Sequence, residues 1–207
     1  MSEIFKILMI AILSSNVIFS SSLGICSYIG VSQNKKSSIG MGLALTFVTV
    51  LATLFSFPIG LLLKHFNIEY MSTICFILVI ASLVQFVEMF IKKFSPSLYK
   101  ALGIYLPLIT TNCVVLYVAK QTMDTETLYS SLGITNVIGG DLGNLVYLLV
   151  FALGTALGYF LALYLFSVLR EKLSASPVAK GFQGVAIGLI TSAIMAIIFS
   201  KAFNGIF

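Results

Sequence analysis

The sequence predicts an all-α, polytopic membrane protein: six transmembrane helices in an inverted three-plus-three repeat, with broken first and fourth helices. Three observations carry that expectation. The chain is 59% hydrophobic and 9% charged, with a mean hydropathy of +1.08, which leaves too little polar surface to cover a water-soluble globule. Six stretches contain no Asp, Glu, Lys or Arg, at 7–34, 37–63, 70–87, 101–119, 142–169 and 181–200, and each is long enough to cross a hydrocarbon core of roughly 30 Å as a helix. Three spans per half then place the halves, approximately 1–95 and 96–207, in opposite orientations. With no soluble segment left over, 1–207 reads as one integral membrane domain.

The first stretch begins after a weak basic start, Lys6, runs too long for a secretory signal and shows no clear small-residue cleavage site, so it is expected to stay as the first span. Its interior is unusual. Ser14, Ser15 and Asn16 are followed by Ser20, Ser21 and Ser22 and then by Leu23-Gly24-Ile25-Cys26-Ser27-Tyr28-Ile29-Gly30-Val31-Ser32, a polar, glycine-punctuated run that predicts a break near Gly24. The second and third stretches read as uninterrupted helices. The fourth contains Leu102-Gly103-Ile104-Tyr105-Leu106-Pro107-Leu108-Ile109-Thr110-Thr111-Asn112-Cys113, and Pro107, which lacks an amide donor and crowds the preceding turn, predicts a kink or break there. The fifth and sixth stretches complete the second half. Between the fourth and fifth, the connection 120–140 gathers Ser, Thr and Gly with Asp124, Glu126 and Asp141, a solvated outer loop or a lid.

Orientation follows from the basic residues. Lys35, Lys36, Lys92, Lys93, Lys100, Arg170, Lys172 and Lys180 fall in the first, third and fifth connections, against Lys6, Lys64, Lys120 and Lys201 at the other face, eight to four. Cytoplasmic loops carry the excess of Lys and Arg, so both termini are expected on the outer side of a cell membrane.

Broken helices are tolerated in lipid only where the freed backbone meets protein or a polar site. Two breaks, one per half, therefore point to a site near the midplane; the plainer account is that Ser, Thr and Asn bond back to their own helix. Cys26 and Cys113 each lie in a loosened segment. Cys75, in the apolar run Ser72-Thr73-Ile74-Cys75-Phe76-Ile77, reads as a small packed hydrophobe. With three cysteines and no C-x-x-C pair, any metal site must be shared with another chain, and two thiolates near the bilayer centre are costly unless they bind metal. A disulfide between Cys26 and Cys113 competes with that reading. Thr111 and Asn112 beside Cys113 are candidates for an ion path or interface. So is Glu88, in Val84-Gln85-Phe86-Val87-Glu88-Met89, although with Lys92 at i+4 it also reads as an ordinary helical ion pair. Arg170-Glu171-Lys172 reads as an anchor or a partner contact. No phosphate loop, dinucleotide fingerprint, nucleophile elbow or H-E-x-x-H is present, so no catalytic residue is expected in this chain and no nucleic acid as partner.

At these segments the chain resembles the family of small membrane subunits shared by the Rnf and sodium-pumping Nqr complexes. The likeness covers nearly all of it, through Leu23-Gly24-Ile25-Cys26 with Gly30-Val31-Ser32, Gly40-Met41-Gly42-Leu43-Ala44, Val84 to Met89, Leu102 to Cys113, Arg170-Glu171-Lys172-Leu173 and the final Gly184 to Gly205 span. Ser27-Tyr28 stand where the family usually has Pro-Phe, and Tyr117 where a small Gly is expected. The resemblance implies membership of an ion-translocating complex that moves sodium or protons. Electrons pass between ferredoxin and NAD in Rnf, or from NADH to quinone in Nqr. It further implies a 2Fe-2S cluster within the membrane, held by Cys26 and Cys113 together with two cysteines of a homologous subunit of inverted topology, and further subunits carrying flavin and iron-sulfur groups. A secondary transporter with a midplane substrate or ion site, or a purely structural subunit, is the alternative.

Overall fold

The computed structural model describes residues 2–14, 16–32, 35–66, 69–94, 106–124, 140–174 and 184–203, and among them it is all helical. Among the described residues, three helices are long and apolar enough to cross a membrane. They are α4 (Lys35–His65), α5 (Ser72–Phe94) and α8 (Gly140–Ser174), which match the second, third and fifth charge-free stretches. The sixth stretch forms α9 (Val185–Phe203). Of the outer connection, residues 125–139, with Glu126, lie outside the described residues.

The first stretch is broken into four pieces: α1 (Ser2–Met9), a π-helical turn (Ile10–Ser14), α2 (Val17–Ser21) and α3 (Ile25–Val31). The fourth is α6 (Leu106–Thr110) followed by α7 (Cys113–Gln121). The fourth stretch is interrupted at Thr111–Asn112, between α6 and α7; the residues before Pro107, 101–105, against which its kink is expected, lie outside the described residues. The first stretch, for its part, breaks twice: once at Asn16, and again at Ser22 to Gly24, where Ser22 (φ 54°) and Gly24 (φ 79°) both take left-handed backbone.

The long helices are inside-out relative to a soluble protein. Leu43, Phe47, Phe55 and Leu62 of α4 and Ile74, Leu78, Phe86 and Met89 of α5 are exposed, as expected where lipid replaces water. Three threonine hydroxyls within α4 are satisfied locally, Thr46, Thr49 and Thr53 donating to the carbonyls of Gly42, Leu45 and Thr49 at 2.7–2.8 Å; the buried Ser56 hydroxyl has no partner among the described residues. Close approach is set by glycines. The Phe160 ring of α8 rests where a side chain on Gly42 would be, and a Cβ on Gly158 would meet the Ile12 and Ala11 carbonyls at 3.0 and 3.2 Å. α8 thus presses against α4 on one side and the first broken span on another, the small-residue packing that membrane helices use. The Gly42–Phe160 contact and the Lys35–Glu171 ion pair (2.6 Å) set α4 and α8 antiparallel.

Gly158→Leu fills the seat of the π-helical turn. It is expected to destabilise the folded chain by at least about 2 kcal/mol through overpacking, measured by denaturant titration in mixed micelles; a variant as stable as the parent contradicts this packing.

Candidate functional site

The breaks at Asn16 and at Asn112 are built on the same device. Asn16 and Asn112 each stand in extended backbone at the head of a new helix, and each side-chain oxygen accepts from the amide two residues on, Ile18 at 3.2 Å and Val114 at 2.9 Å. Asparagine does this well because its short amide caps the first turn while its nitrogen remains free to donate elsewhere. That nitrogen reaches out of the helix in both cases: Asn16 Nδ2 donates to the Gly158 carbonyl at 2.9 Å, and Asn112 Nδ2 to Ser27 Oγ at 3.0 Å. In the sequence, Ser14-Ser15-Asn16 and Thr110-Thr111-Asn112 carry this correspondence.

The second of these bonds brings the two cysteine segments together. Gly24 packs on Val114, Ser27 bonds Asn112, and Gly30 packs near Leu108. As residue numbers rise on one segment they fall on the other, so the two broken spans cross antiparallel. A Cβ on Gly24 would lie 2.8 Å from Val114 Cγ2 and 3.1 Å from Tyr159 Cε2, so glycine is required here by contact as well as by φ. Cys26 precedes Ser27 and Cys113 follows Asn112; both therefore flank the crossing, each in the first turn of its half-helix. Tyr159 fixes the depth, being one residue past 158, the midpoint of the apolar run Gly143–Leu173.

Ser27 is the hub. Its Oγ donates to the Gly24 carbonyl at 3.0 Å, accepts from Asn112, and lies 2.7 Å from the Tyr159 hydroxyl. A hydroxyl has one proton and two lone pairs, so with the proton on Gly24 the Tyr159 hydroxyl is the donor to Ser27. All three members are buried.

All three cysteines are free thiols, so the competing Cys26–Cys113 disulfide is not formed. Cys26 and Cys113 are exposed, with Gly30, Pro107 and Thr111, whereas Cys75 is half-buried and packed on the core. The structure therefore gathers Cys26, Cys113, Asn112 and Thr111 at one crossing. Glu88 lies apart on the last turns of α5; among the described residues no three His, Cys, Asp or Glu side chains converge on a common point. Ser27 and Tyr159 do not stand out from sequence. For Tyr159 a signal exists: a tyrosine in the middle of an apolar span needs a partner for its hydroxyl. Chemically the crossing offers two soft thiol donors, open on one side, each in the first turn of a short helix.

The chain is similar to known proteins along nearly its whole length. Residues 4–207 match the family model described as "Rnf-Nqr subunit, membrane protein". The A component of the Na(+)-translocating ferredoxin:NAD(+) oxidoreductase complex of Acetobacterium woodii is 44% identical over 93% of both chains. The A component of the ion-translocating oxidoreductase complex of Syntrophotalea carbinolica is 43% identical over 96% of this chain and 95% of its own, and that of Shewanella sediminis 42% over 100% and 99%.

Ser27→Ala strands two buried donors, those of Tyr159 and Asn112, and is expected to destabilise by about 1–3 kcal/mol, with Tyr159→Phe costing less. In a double-mutant cycle the two should couple by at least about 0.5 kcal/mol. Additive effects in mixed-micelle unfolding show that the hub is not a unit.

Proposed function

The chain belongs to the Rnf-Nqr family of membrane subunits, and from that premise we propose that it is the A-type membrane component of an ion-translocating ferredoxin:NAD oxidoreductase. In this reading Cys26 and Cys113 supply half the ligands of a 2Fe-2S cluster inside the membrane. The observation that carries it is the crossing itself: two free thiols at the heads of two antiparallel half-helices, level with the middle of α8 and open to the chain's surface.

The donor set fits half of such a cluster. Four thiolates are needed, and the third cysteine of this chain sits in the core packing of α5. The remaining two ligands then come from another chain closing over the exposed face, a homologous subunit of inverted topology, while lipid covers the apolar flanks. When bound, the cluster carries single electrons between the flavin- and iron-sulfur-carrying subunits on either side of the membrane.

This chain's own residues do the rest. Asn112 and Gly24 set the heads of α7 and α3, which place Cys113 and Cys26 in the first turn of each helix. Ser27 and Tyr159 hold the two heads at one spacing. α3 and α7 are only seven and nine residues long, and the arrival of a charge at their shared head alters the pull on both. That makes them the parts whose movement couples electron transfer to the passage of sodium or protons. The same antiparallel architecture also serves secondary transporters, which would take up solute without any redox partner.

Orientation is part of the proposal. Lys35, Arg170 and Glu171 meet at one end of the molecule and Gly60 meets Thr122 at the other, which supports the charge count that places both termini outside.

Two measurements test this. In the purified complex, Cys26→Ala and Cys113→Ala should each abolish the 2Fe-2S EPR signal assigned to the membrane site; a signal unchanged in both refutes the ligand assignment. Alkaline phosphatase fused after Phe207 should be active, and an inactive but stable fusion reverses the topology.

A further inference from the structure

α3 is a seven-residue helix, far below the length at which a helix holds itself together. Its position is therefore set by what ties its ends. The N-terminal tie is Ser27, since Gly24 offers no side-chain cap. The C-terminal tie comes from α8. Arg170 Nη1 donates to the Ile29 carbonyl at 2.7 Å and to Ser32 Oγ at 2.8 Å. Ser32 Oγ itself donates to the Ile29 carbonyl at 3.1 Å, and Ser38 Oγ donates to the Val31 carbonyl at 3.3 Å. The residue closing the helix, Ser32, keeps right-handed backbone (φ −68°, ψ −2°), and the residue after it is Gln33, so the glycine that often turns the chain to satisfy the last carbonyls is absent here. A guanidinium replaces it, and its charge meets the negative end of the helix. The next residue, Glu171, pairs with Lys35 at the start of α4. Consecutive residues of α8 thus bracket the passage from α3 to α4.

We infer that Arg170 is a positioning residue for the Cys26 thiol, acting through the C-terminus of α3. Ile29 and Cys26 are three residues apart, roughly 4.5 Å along the axis, and a helix this short moves as a rod. With Ser27 still tied, a slip at Ile29 turns the rod about that tie and reorients Cys26 on its near side. Cys113 belongs to α7, which Arg170 does not touch in any bond described above, so its thiol stays in place. The distinction separates positioning from general stability, because a merely structural arginine would loosen both thiols alike. It also holds whether or not the thiols ever bind iron.

The test is the alkylation rate of each thiol by N-ethylmaleimide, in membranes containing the full chain without its partner subunits and carrying Cys75→Ala, with the labelled peptides resolved by mass spectrometry. Arg170→Gln is expected to raise the Cys26 rate about tenfold, as loss of a charge-assisted tie implies, and to leave Cys113 within about twofold. Arg170→Lys, with the charge but not the fork, should restore the rate in part. Lys35→Ala breaks the neighbouring ion pair alone and should leave Cys26 unchanged. Equal increases at Cys26 and Cys113, or no increase at either, overturn the inference. Should Arg170→Gln fail to accumulate in the membrane, Ser32→Ala removes one acceptor of the same tie and is expected to raise the Cys26 rate about threefold; an unchanged rate there also overturns it.

Discussion

A helix interrupted inside a bilayer leaves amides and carbonyls that no water can reach, and each one left bare costs several kcal/mol. This protein interrupts two of its apolar stretches, and the rest of its architecture follows from how the loose ends are satisfied. Asn16 and Asn112 cap the new helices with their oxygens and commit their nitrogens to neighbouring elements. The first reaches the carbonyl of Gly158, and the second reaches the hydroxyl that Tyr159 also holds. Two consecutive residues of α8 therefore pin both breaks, and α8 serves as the common reference for each.

That arrangement explains why the thiols lie together although one belongs to each half of the sequence. A break tied sideways cannot slide along the membrane normal, so the heads of α3 and α7 stay level. The same bonds point inward, leaving the outward face of the crossing to Cys26, Cys113, Gly30 and Thr111. Polar satisfaction within and soft donors without are two sides of one geometry. α4 and α5, whose outward residues are apolar, supply thickness and packing and contribute no side chain to the hydrogen bonds of the crossing.

Much of this is readable from the residues, for reasons that differ by element. The continuous spans are legible because charge is so costly in lipid that its absence marks them. Cys26 and Cys113 separate from Cys75 because Gly, Ser and Asn gather around the first two and not the third. The break at Thr111–Asn112 is not announced by Pro107, because a proline disturbs the turn before it and not the one after. Asn112 reads from sequence only as a neighbour of Cys113; its role as a cap shows once Ser14-Ser15-Asn16 is laid over Thr110-Thr111-Asn112. The hub of Ser27 and Tyr159 joins residues 132 positions apart, and no local pattern reports such a contact. Arg170 reads as an anchor at the membrane edge, which its position warrants, but its acceptor lies 141 residues away.

Ser27 has one proton and two lone pairs, and all are committed. A hub so fully used answers unequally to loss. Removing the Ser27 hydroxyl strands the Tyr159 hydroxyl in a dry interior, whereas removing the Tyr159 hydroxyl leaves Ser27 with a spare lone pair, a milder defect. The order in which two such changes are made therefore sets how unstable the intermediate chain is, although the end point is the same.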